Sequence, residues 1–210
     1  SSFSTQGFTI NLTDVNEGAV GAISDTNAAS DFVLENSSFG TVVGITAFAS
    51  DPDGTDVVTY TLDDNAGGRF AIDANTGVVT VAGAIDREAA ASYNISVRAT
   101  STDTSFSTQS FTINIGDVNE FAVTTPTDTD GTANAVNENA ANGTTVGITA
   151  AASDADATTN TITYSLTDNA GGRFAIHATT GVVTVLDGTL LDRETTASHN
   201  ITVRATSADG

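Results

Sequence analysis

Apolar and polar residues alternate along this chain in short runs with a period of two. Val43, Ile45, Ala47 and Ala49 hold every second place in one run, and Ile95, Val97 and Ala99 do so in another. Val58-Thr59-Tyr60-Thr61-Leu62 and Phe8-Thr9-Ile10-Asn11-Leu12 alternate in the same way. Successive side chains of a strand point to opposite faces, so this spacing predicts strands with one buried face, and helical spacing is found nowhere. Between the runs stand Gly, Asn and Asp, which allow positive φ or close a turn with their own side chain. Asp64-Asn65-Ala66-Gly67-Gly68 and Asp168-Asn169-Ala170-Gly171-Gly172 read as turns of this kind.

The runs occur in copies. Phe3-Ser4-Thr5-Gln6-Gly7-Phe8-Thr9-Ile10-Asn11 returns as Phe106-Ser107-Thr108-Gln109-Ser110-Phe111-Thr112-Ile113-Asn114, an offset of 103. Asp14-Val15-Asn16-Glu17 returns as Asp117-Val118-Asn119-Glu120 at the same offset, and Asp86-Arg87-Glu88 as Asp192-Arg193-Glu194 at 106. A fixed period of this kind is the mark of a tandem array. The copies also identify the buried face: Val43, Ile45, Ala47 and Ala49 recur as Val146, Ile148, Ala150 and Ala152, whereas Val42 becomes Thr145. About seven strands per ~100 residues is the count of an Ig-like sandwich, so the expected fold is all-β, with tandem seven-stranded Greek-key β-sandwiches. By phase, residues 1–17 read as the C-terminal strand of a preceding repeat, 18–120 as a complete repeat, and 121–210 as a repeat lacking its last strand.

Composition narrows the chemistry. The chain has 26 acidic residues against 6 arginines and no lysine, a net charge of -20. Such a surface repels nucleic acid and anionic lipid, both of which need a cationic face. No run approaches the ~18 apolar residues of a membrane span. Cysteine is absent and only two histidines are present, which removes disulfides, thiolate metal sites and the commonest nucleophile and base pairs. The reading is therefore of a protein that is not an enzyme.

The acidic residues gather in short motifs at strand ends: Glu35 with Glu138, Asp51-Pro52-Asp53 with Asp154-Ala155-Asp156, Asp86-Arg87-Glu88 with Asp192-Arg193-Glu194, and Asp103 with Asp209. Like charges in one place need a cation, and hard oxygen ligands without histidine or cysteine select Ca²⁺. Five motifs in order carry a resemblance. These are Glu-Asn at the start of the unit, Asp-x-Asp after the second strand, Phe-x-Ile-x-x-x-Thr-Gly (Phe70 to Gly77, Phe174 to Gly181), Leu-Asp-Arg-Glu (Leu191 to Glu194) and the closing Asp-x-Asn-Glu. In this set the chain resembles tandem cadherin repeats, and its acidic, lysine-free composition resembles those of bacterial extracellular adhesins.

The resemblance implies calcium between successive repeats. At the junction inside the chain it implies Glu35, Asp86, Glu88, Asp117, the Val118 carbonyl, Asn119 and Glu120 from the upper repeat, with Asp154, Asp156, Asn160 and Asp209 from the lower. At the first junction it implies Asp14, Asn16, Glu17, Asp51, Asp53, Asp56 and Asp103; at the last, Glu138, Asp192 and Glu194. The function so implied is that of a calcium-rigidified segment of an extracellular adhesin or surface filament, its partners being neighbouring repeats or copies of itself in a head-to-tail array. The alternative is a carbohydrate-binding module of a secreted protein, with surface polysaccharide as partner. Asp128 and Asp130 read as a linker turn without counterpart, Arg69 and Arg173 as partners for nearby carboxylates, and His177 and His199, in the places of Asp73 and Tyr93, as ordinary surface or strand histidines.

Overall fold

A computed structural model describes residues 1–13 and 15–208. It divides the chain into two compact units, Ser1–Gly116 and Asp117–Gly210. The first contains β1 (Ser24–Asp25), β2 (Phe32–Leu34), β3 (Val42–Phe48), β4 (Val58–Asp64), β5 (Phe70–Ile72), β6 (Val78–Val81), β7 (Ser92–Ser101) and β8 (Phe106–Gly116). They form two four-stranded sheets, in the orders β1-β3-β6-β5 and β2-β8-β7-β4. The period-two residues meet between them: Val43, Ile45, Val97, Ala99 and Ile113 are each at most 1% exposed. Burying each of the larger ones contributes about 1.5–3 kcal/mol.

Eight strand segments stand where seven were expected, because the first strand is divided between the sheets. Its first piece, β1, pairs antiparallel with β3, and its second, β2, runs parallel to the end of β8 in the register Phe32↔Asn114, Val33↔Ile115, Leu34↔Gly116. A bulge in β3 between Val42 and Thr46 makes room for this passage. It is built on Gly44, whose φ is +86° and whose added Cβ would lie 2.1 Å from the Ser30 carbonyl oxygen. Only glycine accepts both conditions.

The second unit contains β9 (Thr127–Asp128), β10 (Thr145–Ala151), β11 (Ile162–Asp168), β12 (Phe174–Ile176), β13 (Val182–Val185), a 3₁₀ turn at Gly188–Leu190 and β14 (Thr202–Ser207). The sheet β12-β13-β10-β9 matches its counterpart, while β11 and β14 make a two-stranded sheet. Tyr164 repeats the contact of Tyr60: its hydroxyl accepts from Ala152 N at 3.0 Å, as that of Tyr60 accepts from Ala49 N at 3.0 Å. Segment 135–137, the counterpart of β2, forms no strand. Residues 1–13 likewise form none, and Phe3, Phe8, Ile10 and Leu12 are 84–91% exposed.

Candidate metal centres

In the first unit, β3 and the β7–β8 turn deliver carboxylates to one end of the sandwich. Asp51, Asp56 and Asp103 each offer an oxygen within 4.8 Å of the others. The loop fixes them one by one. Asp51 Oδ1 accepts from Asp53 N at 3.0 Å, Asp103 Oδ1 accepts from Ser105 N at 2.7 Å, and Asn16 Nδ2 donates to Asp103 Oδ2 at 2.7 Å. The Thr102 hydroxyl donates to Asp56 and accepts from Val57 N at 3.2 Å. The Ser105 hydroxyl and backbone N–H hold the Asp103 carboxyl below its ordinary value. Asp51 Oδ2 is buried without a hydrogen-bond partner. A buried orphan acceptor among three clustered carboxylates fits a hard divalent cation, which would supply the missing partner and cancel the repulsion.

Asp53, 4% exposed, has a different task from its neighbours. Its two oxygens accept from Glu17 N and Gly18 N, each at 3.1 Å, tying the incoming chain to the loop. The Glu17 N–H bond leads the causes that hold its pKa below the ordinary value. In the second unit Asp156 receives both backbone bonds on one oxygen, from Glu120 N at 3.1 Å and Phe121 N at 3.3 Å. Its Oδ2 is left buried without a partner, and desolvation, with the Asp154 charge a smaller cause, raises its pKa. The same motif therefore leaves a second orphan carboxylate oxygen in the second unit.

Around Asp156, Asp117 accepts from Thr158 N at 3.0 Å and from the Thr158 hydroxyl, while Asp156 N donates to Asp154 at 3.2 Å. Asn160 Nδ2 donates to the Asp156 carbonyl at 2.7 Å, so its amide closes this loop. Val118 is half-buried, and Asn119 and Glu120 are exposed. Asp14 and Asp209 lie outside the described residues.

The other acidic set stands at the far end of the sandwich. In the first unit Glu35 is 2% exposed; its N donates to Gly116 O at 2.9 Å and its carboxylate accepts from Arg87 N. Asp86 and Glu88 lie exposed in the same turn, Asp86 Oδ1 accepting from Ala89 N at 3.0 Å. Gly116 and Phe106 end opposite tips of β8, and at ~3.3 Å per residue this separates the two acidic ends by about 30 Å. In the second unit Glu138, Asp192 and Glu194 offer oxygens within 4.8 Å of one another. Arg193 N donates to Glu138 at 3.0 Å, and the Thr195 hydroxyl and N–H hold Asp192 below its ordinary pKa.

Two sequence expectations change, that for Asp128 and that for the pair Arg69 and Arg173. Asp128 has a counterpart after all: it accepts from Thr149 N and Asp130 N, as Asp25 accepts from Thr46 N and Asn27 N, so both aspartates pin a turn to the neighbouring strand. Arg69 and Arg173 donate to backbone carbonyls, Ala66 O and Ala170 O, in place of the carboxylates assigned to them, because each folds back over its own Gly-Gly turn. His177, read as a surface histidine, is exposed and takes the turn role of Asp73, its Nδ1 accepting from Thr179 N and Thr180 N. The turn reading of Asp64 and Asp168 agrees with their bonds from Ala66 N and Ala170 N. Sequence reasoning missed the hydroxyls of Thr102 and Thr158. Thr158 has a repeat partner in Thr55 that could have signalled it, whereas Thr102 corresponds to Ala208 and leaves no such signal.

The comparisons with known proteins agree with this architecture. A family model described as "Cadherin domain" matches residues 31–116 and 132–210. Human Protocadherin Fat 4 is 32% identical over 184 residues, covering 83% of this chain and 4% of that protein, and human Protocadherin Fat 1 is 34% identical over 149 residues, covering 70% and 3%. The chain thus spans 3–4% of the length of these relatives, both of them animal proteins. The crystal structure of mouse Cadherin-23 EC22-24 superposes with a TM-score of 0.74 at 29% identity, covering 92% of this chain and 62% of that one. With two sandwiches in tandem, both matched by the family model, the chain belongs to the cadherin domain family.

Proposed function

We propose that the chain is a calcium-rigidified tandem-repeat segment of an extracellular adhesin or surface filament, with a structural role in cell adhesion. The observation that carries this reading is the buried, partnerless oxygen of Asp51 beside Asp56 and Asp103. Asp51, Asp56, Asp103 and Asn16 would hold an ion at one end of the first unit, and Glu138, Asp192 and Glu194 at one end of the second. The internal junction would draw on Glu35, Asp86, Glu88, Asp117, the Val118 carbonyl, Asn119, Glu120, Asp154 and Asp156. Bound Ca²⁺ supplies positive charge and a shared coordination shell. The chain's own part is to hold the carboxylates ready through hydroxyl and backbone donors, so little ordering remains to be done when the ion arrives.

In such an array the ions would stiffen the passage from one repeat to the next, and neighbouring repeats would be the primary partners. The lysine-free acidic composition supports a secreted bacterial adhesin as the source of the array. No helix among the described residues is long and apolar enough to cross a membrane. Calorimetry tests the reading: Ca²⁺ should bind with Kd of ~10⁻⁴ to 10⁻³ M, the range of extracellular modules, and chelation should lower Tm. Asp154→Ala or Glu88→Ala should remove much of that shift. Absence of binding heat, with a melting curve indifferent to EGTA, would sink the reading.

A further inference from the structure

Between β1 and β2 the chain of the first unit crosses from one sheet to the other, and residues 26–31 make the passage. It is fastened at both ends. At the start, Thr26 N donates to Thr46 O at 3.0 Å, and Asp25 Oδ1 accepts from Asn27 N and Thr46 N, each at 2.9 Å. At the finish, the Ser30 carbonyl lies against Gly44 of β3, and Asp31 O accepts from Asn114 N of β8 at 2.9 Å. The Asp31 side chain turns back across the passage and is hydrogen-bonded to that of Asp25, and both residues are half-buried. Two ionised carboxylates are acceptors only, so a bond between them contains a proton. Asp25 already accepts from two backbone N–H groups, which leaves Asp31 as the donor.

The second unit repeats the passage with one telling change. Asp128 stands for Asp25 and accepts from Asp130 N and Thr149 N, each at 3.0 Å, and Gly147 stands for Gly44. In the place of Asp31 is Asn134, whose amide bonds to Asp128. An amide donates at every pH, whereas a carboxyl donates only while it holds its proton. The place therefore calls for a donor, and the first unit fills it with one that titrates. Asp25 on β1 supplies the charge that acts on Asp31; Thr46 of β3 and Asn114 of β8, which bond the same passage, carry none.

We propose that Asp25 and Asp31 form a proton-operated latch on the β1–β2 crossover of the first unit, closed while one proton lies between the two carboxyls and released when it leaves. On release two negative charges face each other across the passage, and the hold of Asp25 on Asn27 and Thr46 is weakened with it. Burial, and after it the Asp25 charge and the bond to Asp25, raise the Asp31 carboxyl above the ordinary 3.8. The stabilisation is thus complete below the ordinary value and is lost as pH rises through the raised one. Its sense is opposite to that of a carboxylate cation site, which empties as pH falls.

NMR on the 210-residue polypeptide in EGTA tests the latch apart from any bound ion. Carbon-detected titration should place the Asp31 midpoint above 3.8, and Asp25→Asn should lower it. Protection factors of the Asn27 and Thr46 amides should fall as pH rises through that midpoint, by about tenfold for each unit by which it exceeds the midpoint of the unfolded chain. Asp31→Asn introduces the residue that the second unit already accepts at this place, so it should fold and should keep both amides protected throughout. Asn134→Asp should confer the loss on the amides of Asp130 and Thr149, in smaller measure because residue 134 is exposed. An Asp31 midpoint at or below 3.8, a midpoint indifferent to Asp25→Asn, or a fall in protection that survives Asp31→Asn would each overturn the proposal.

Discussion

The two units share their strand pattern and differ in one strand, and much else follows from it. Ile95, Val97 and Ala99 are at most 1% exposed on β7, while their counterparts Ile201, Val203 and Ala205 are half-buried. Val33 is buried in a formed strand, whereas Val136 is half-buried outside any strand. Glu35 is 2% exposed and Glu138 is exposed. The first two differences trace to β8, which bonds to β7 along one edge and to β2 along the other. The strand that completes the core also ends beside the acidic residue at the sandwich end, where Glu35 N donates to Gly116 O at 2.9 Å.

The largest test of this comparison is Ile113→Ala. Deleting a buried isoleucine side chain between two sheets costs about 2–5 kcal/mol, and the first unit should then approach the second in stability. Residue-resolved hydrogen exchange should show β2 opening together with β8. Next comes Gly44→Ala, where positive φ and the Ser30 carbonyl both oppose a Cβ; about 2–4 kcal/mol is expected in denaturant titration. Gly147, at φ +74° and 2.3 Å from the Ala133 carbonyl oxygen, should respond less, since the residues after Ala133 form no strand whereas those after Ser30 form β2.

Tyr60→Phe leaves the buried Ala49 N–H without its acceptor and should cost about 1–2 kcal/mol, while Tyr164→Phe, where water reaches the half-buried site, should cost less. The smallest effect concerns Asp63 and Arg98, joined at 2.8 Å in the first unit, where the second has Thr167 and Arg204. The Arg98 guanidinium holds the Asp63 carboxyl below the ordinary 3.8. Its contribution to stability is thus complete above that value and is lost as pH falls through the lowered one. Carbon-detected titration of Asp63 should show the depression, Arg98→Gln should abolish it, and Thr167→Asp should create a weaker copy in the second unit.

Much of the fold was legible because period two and the repeat reinforce each other: Val43, Ile45, Ala47 and Ala49, which alternate in the β3 run and stay apolar in both copies, are all buried. The division of the first strand was not legible. Phe32-Val33-Leu34 is apolar at all three places, and only Val33 turns inward, since its direction is set by a parallel pairing with residues more than 80 positions away. At the site, the gathering of Asp51, Asp56 and Asp103 could be read from motif spacing, but the role of Asp53 could not. Spacing gives the end of the sandwich where a carboxylate lies, not whether it turns toward its fellows or back to the chain's own N–H groups.

The parallel pairing of β2 with β8 gives the first unit a mechanical character. Asn114 N donates to Asp31 O and Glu35 N to Gly116 O, each at 2.9 Å, so the pairing is closed at both of its ends. Because the two strands run the same way, tension that draws the chain before β2 away from the chain after β8 slides one past the other and loads these bonds side by side. A hairpin peeled from its tip would lose its bonds singly. The closed parallel pairing thus suits the first unit to bearing load along the chain.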